Sequence, residues 1–127
     1  MGVVDSGFDF THPNFYDKEG KAYRIKQVWD QTSPYSKAEY RTEEELLDAA
    51  CSFDSDVNTH GTHVAGIAAG GGFDTPYQGV ANESDMILVA TTMQNSDIVD
   101  GVDYIFRESE KQGRPCVVNL SLGDGIG

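Results

Sequence analysis

Residues 86–90 read Met-Ile-Leu-Val-Ala, five apolar side chains in succession. A strand with one wet face alternates apolar and polar residues. An unbroken apolar run of strand length marks a strand covered on both faces. Such strands belong to parallel sheets with helices above and below. After this run, Ile98, Val102, Ile105 and Phe106 recur at helical spacing. Asn95 or Ser96 is placed to cap that helix, and Gly113 to stop it. Val117 to Leu122 then reads as a further strand. Before the run, residues 60–72 are rich in Ala and Gly. They predict a buried helix that starts at His60 and frays in Gly70-Gly71-Gly72. Gly2-Val3-Val4-Asp5 reads as a short buried strand, and Arg24 to Asp30 as another. Strands alternating with helices imply an α/β fold: three layers, doubly wound, a mostly parallel sheet with helices on both faces. No linker divides residues 1–127, which read as one domain.

Between these elements lie loops. Phe8 to Asp17, with His12-Pro13-Asn14, is rich in turn formers, and Gln31 to Glu39 and Asp54 to Thr59 read as loop. Thr42-Glu43-Glu44-Glu45 has capping-box spacing. A short helix through Leu46, Leu47, Ala49 and Ala50 should follow, its acidic first turn suited to the helix dipole. Residues 38–52 read as an inserted surface element without chemistry.

Composition narrows the function. The chain has 127 residues, 21 of them acidic and 9 basic, for a net charge of −12. Phosphate contacts need clustered Lys and Arg, so nucleic acid is not an expected partner. No apolar run is long enough to span a membrane. No signal peptide opens the chain, and its abrupt start in a strand reads as the interior of a longer protein. Two cysteines, Cys51 and Cys116, are too few for a disulfide scaffold. Cys116, in Pro115-Cys116-Val117-Val118, is expected to be a buried free thiol, with a single bridge to Cys51 left open.

Three segments carry chemistry. In Val3-Val4-Asp5-Ser6-Gly7 an aspartate ends a parallel strand, where open α/β sheets place their sites; the same residues also make a good turn. In His60-Gly61-Thr62-His63-Val64-Ala65-Gly66 a histidine opens a helix. The helix dipole disfavours its protonated form and a nearby carboxylate favours it. Together they suit an imidazole that is neutral at rest yet able to take a proton. Gly61 leaves room for a close approach. His63, one turn on, reads as a packed, hydrogen-bonded helix residue rather than a metal ligand, since no third ligand stands nearby. Val117-Val118-Asn119-Leu120-Ser121-Leu122-Gly123 reads as a strand whose edge an extended peptide can join.

These three segments, in this order, resemble the signatures of the subtilisin-like serine proteases. The resemblance runs the length of the chain but covers only the front part of a catalytic domain. It implies that Asp5 is the aspartate of the triad and His60 its general base. It further implies that Ser121, Leu122 and Gly123 pair with the substrate backbone beside the primary specificity pocket. The chain order Asp, His, Ser is the known order for subtilisin and differs from the orders in chymotrypsin and the α/β-hydrolases. The resemblance also implies a secreted or cell-envelope enzyme with a protein or peptide substrate. Calcium is common in the family, but no acidic cluster here has ligand spacing, and no other cofactor is expected. One part of the pattern is missing. No Gly-Thr-Ser block, which carries the family's nucleophile, occurs in these residues. The chain alone is therefore expected to be inactive, and an uncovered sheet edge to favour self-association. Two other readings stand beside this one. A pseudoprotease or peptide-binding module would keep the cleft without a nucleophile. A dinucleotide-binding domain would use Gly123-x-Gly125-x-Gly127, whose spacing departs from the usual fingerprint.

Overall fold

The computed structural model describes residues 1–34, 38–53 and 58–122. Gly123, and residues 54–57 of the expected polar loop, lie outside the described residues. In chain order the elements are β1 (Gly2–Asp5), β2 (Ile25–Asp30), β3 (Glu39–Tyr40), α1 (Glu43–Ala49), α2 (Asn58–Ala69), β4 (Met86–Ala90), α3 (Asn95–Lys111) and β5 (Val118–Leu120). One turn of 3-10 helix, Pro13–Phe15, interrupts the first loop. The sheet order is β3-β2-β4-β1-β5. All pairs are parallel except β2 with β3.

The apolar run at 86–90 behaves as its pattern requires: β4 is buried along its whole length. Alternate side chains enter two different cores. Val3, Ile25, Val28, Met86, Leu88 and Ala90 pack with Leu46 of α1 and with Ala65 and Ala69 of α2. Val4, Ile87 and Val89 pack with Tyr104 and Ile105 of α3. The three-layer α/β class follows directly.

Several elements depart from the sequence reading. β3 has no counterpart in it; with two residues it is too short to show a period. Helix α2 starts at Asn58, two residues early, and only one face is buried. Ala65 and Ala69 meet the sheet while His63 and Ile67 face outward and are exposed. Nor does its glycine run fray. The Gly70 N–H bonds the Gly66 carbonyl at 2.8 Å, and the Gly71 N–H bonds the Asn14 carbonyl at 2.9 Å. Helix α3 is capped by Gln94 without a side-chain bond, because Asn95 is already helical. Its buried face runs through Gly101, Tyr104, Ile105 and Glu108, which leaves Phe106 exposed. Gly113 stops it in a left-handed conformation, φ 67°. Strand β5 is shorter than expected, and Val117 before it is exposed. Cys116 sits at this sheet margin and is half-buried; both cysteines are free.

Residues 38–52 are tied to the domain more closely than a surface element requires. Thr42 caps α1 by accepting from the Glu45 N–H at 3.1 Å. The Glu45 carboxylate accepts from the Thr42 hydroxyl at 3.1 Å and the Arg41 N–H at 3.2 Å. Ala50 closes the helix at φ 69° rather than extending it. Arg41 Nη2 lies 2.7 Å from Glu108 Oε1, joining this segment to α3, and Lys111 Nζ lies 3.4 Å from Oε2.

Burial pushes the Glu108 carboxyl up, but Arg41 and Lys111 outweigh it and hold the group below its ordinary value of 4.5. A depressed carboxyl stabilises the fold above its unfolded value, and that contribution disappears as pH falls through the folded one. At neutral pH Glu108→Gln should therefore lower the melting temperature of the protein by a few degrees. That is the effect of about 1 kcal/mol, reduced from a full charged hydrogen bond because Arg41 is half-exposed. The gap between variant and parent should close as pH drops below 4.5. Melting curves from pH 3 to 7 that ran parallel would contradict this assignment.

Candidate active site

Asp5 ends β1 in register with Ala90 of β4, and its side chain is fully buried. Its Oδ1 accepts from the Ser6 N–H at 2.7 Å and the Ser6 hydroxyl at 3.1 Å. The third partner is His60: Nδ1 lies 2.7 Å from Asp5 Oδ1, across 55 residues of sequence. Among the described residues Oδ2 is buried and meets no donor. Of the His60 side chain, 59% is exposed. Its contact with the Asp5 carboxylate assigns the ring proton to Nδ1 and leaves the lone pair on Nε2. The arrangement is an oriented base: one nitrogen held by a buried carboxylate, the other available for a proton.

The backbone between the two residues is clamped. The Phe8 N–H donates to Ser52 Oγ at 3.1 Å, and the Ser52 N–H donates to the Phe8 carbonyl at 3.1 Å. The Asp9 N–H donates to Thr62 Oγ1 at 2.8 Å. Gly61 makes the close approach that its position suggests. A Cβ there would lie 1.9 Å from the Gly7 carbonyl oxygen and 3.2 Å from Phe8 Cε1. The nearest obstacle is backbone, so α2 itself must retreat from the Asp5 loop. Gly61→Ala should therefore cost about 1–3 kcal/mol of stability. If the full-length protein is a peptidase, its turnover should fall up to about a hundredfold, because a displacement near 1 Å can cost that much. Parent-like turnover per active site would show that the loop absorbs the methyl.

Ser121 follows Leu120, which pairs with Val4 of β1. It therefore stands at the Asp5 end of the sheet. Ser121 is exposed and accepts from Asn119 Nδ2 at 2.9 Å. Leu122 is half-buried against the α3 core. His63 is not packed as expected. It lines an open cleft of about 740 Å³ with Asp9, His12 and Cys51. Among the described residues no three His, Cys, Asp or Glu side chains converge to hold a metal ion. No described helix is long and apolar enough to cross a membrane. Sequence reasoning missed Ser6, Ser52 and Thr62. Asp-Ser adjacency could have indicated Ser6, whereas the Ser52 bond spans 44 residues and the Thr62 bond 53.

A buried carboxylate orienting an exposed imidazole at the carboxyl ends of parallel strands is an arrangement that can act as a general base. The model of the subtilase family, Peptidase S8, matches residues 1–127, and the chain belongs to that family. It is 32% identical to the subtilisin-like protease PopC of Myxococcus xanthus over 97% of this chain and 24% of the relative. It is 29% identical to the extracellular serine proteinase of Thermus sp., over 97% of this chain and 24% of that protein. Among solved structures it resembles the CspB protease of Clostridium perfringens, with a TM-score of 0.75 and 30% identity over 98% of this chain and 29% of that one. The chain spans about a quarter of the length of these curated relatives.

Proposed function

We propose that this chain supplies the acid–base half of a serine endopeptidase. The observation that carries the reading is the 2.7 Å contact between Asp5 Oδ1, fully buried, and His60 Nδ1, on an exposed ring. Asp5 orients the imidazole and stabilises its protonated form. His60 takes a serine hydroxyl proton on Nε2 as the oxygen attacks the peptide carbonyl. It then returns that proton to the departing amine. The serine comes from outside these residues, which hold no Gly-Thr-Ser block. Ser121 and Leu122, with Gly123 beyond them, receive the substrate as an added strand. Secretion or a cell-envelope location accords with the extracellular serine proteinase among the relatives.

A fluorophosphonate probe, which reacts with activated serines, tests this reading in the full-length protein. Labelling in the parent and none in His60→Ala is the expected result. A folded, processed parent that takes no label removes the peptidase reading in favour of a peptide-binding module.

A further inference from the structure

We propose that Ser52 and Thr62 are positioning residues for the Asp5–His60 pair, an inference that rests on the endopeptidase reading above. Their hydroxyls accept the N–H groups of two successive residues, Phe8 at 3.1 Å and Asp9 at 2.8 Å. Those residues follow Asp5 by only three and four positions. One acceptor comes from the segment before α2, the other from α2 itself, two residues past His60. The short loop leaving Asp5 is thus fastened by Thr62 to α2, which carries His60, and by Ser52 to the segment that precedes it in the chain.

Side-chain packing does not fix this geometry from the histidine end. Of the His60 side chain, 59% is exposed, so no surrounding core holds the ring. Its place depends on where the backbone of α2 stands relative to β1. The close packing of Gly61 on Gly7 limits how near the two can come. The hydroxyl bonds limit how far apart they can drift. Contact on one side and hydrogen bonds on the other leave a single separation, at which Nδ1 and Oδ1 lie 2.7 Å apart. Phe8 is fully buried and the bond from its N–H is buried too, so Ser52 provides an acceptor where water does not reach.

The test uses the full-length protein with Thr62→Val, Thr62→Ser and Ser52→Ala, active sites being counted with the fluorophosphonate probe. Thr62→Val keeps the shape of the side chain and removes the acceptor. Its kcat per labelled site should fall roughly tenfold to a hundredfold, with KM within about twofold of the parent, the mark of a group that acts on the transition state alone. Thr62→Ser keeps the hydroxyl and should restore kcat. Ser52→Ala should lower kcat by less, because the Ser52 N–H still holds the Phe8 carbonyl. Melting temperatures that fall while kcat per labelled site stays constant would reduce both residues to ordinary structural bonds and overturn the proposal. So would a Thr62→Ser variant as slow as Thr62→Val. A parent that neither labels nor cleaves peptides removes the endopeptidase reading instead, and this inference with it.

Discussion

His60→Ala is expected to lower turnover by roughly 10⁶-fold, the loss measured when the triad histidine is removed from subtilisin itself. The size of the effect is thus taken from a family member, and the geometry of this site explains its direction. Without the imidazole, nothing takes the serine proton as the oxygen attacks, and nothing protonates the leaving amine. A smaller effect on stability should accompany the kinetic one. Asp5 Oδ1 keeps the Ser6 N–H and hydroxyl but loses its third donor, and Oδ2 already meets none among the described residues. A buried carboxylate that loses one of its donors costs about 1–3 kcal/mol. The variant should therefore melt lower as well as turn over more slowly. Single-turnover kinetics on a peptide substrate, beside a melting curve, separates the two effects. Retention of more than about one per cent of the parent rate would remove His60 from the role of base.

Asp5→Asn is the second large effect, roughly 10⁴-fold in kcat on the scale of triad aspartates. The surroundings of Asp5 indicate where the loss originates. An asparagine could present either its oxygen or its amino group to His60. The same position also receives the Ser6 N–H and hydroxyl, both donors. An amino group placed there would face two donors, so the oxygen occupies it and still accepts the Nδ1 proton. The imidazole then keeps its tautomer and loses only the negative charge that stabilises its protonated form. The amino group is left in the buried site of Oδ2, which meets no donor among the described residues. Nitrogen-15 spectra of the neutral ring in the variant should show the proton on Nδ1. A proton on Nε2 would mean that the amide has turned and that loss of the correct tautomer causes the defect.

Much of the fold was legible because the sequence pattern and the burial share one cause. Met86 to Ala90 is apolar throughout because both of its faces are covered. Gly113 marks the end of α3 because its backbone angle is positive. The misses arise where tertiary partners override local pattern. Gly70 and Gly71 read as a fraying end but bond Gly66 and Asn14. Phe106 is apolar, as a core residue would be, yet the buried stripe of α3 passes beside it and includes Glu108, which pairs with Arg41. His63 reads as packed because no further ligand stands near it in sequence, and it is exposed. In the site, Asp5 and His60 were readable through the family signature. Thr62 stands inside that signature, but its bond to Asp9, like that of Ser52 to Phe8, was not readable, because a hydroxyl meeting a distant amide leaves no periodic trace.

The position of β1 has a consequence for how the molecule is made. Strand β1, the first of these elements in chain order, is flanked in the sheet by β4 and β5, which leave the ribosome much later. At about 5–20 residues per second, the wait for Leu120 lasts on the order of ten seconds. Until β4 has emerged, the carboxylate of Asp5 has no sheet neighbour to shield it from water. Nascent chains therefore carry the acid of the site long before they carry the wall that encloses it. Desolvation of that acid waits for β4 and β5, when most of these residues are already outside the ribosome.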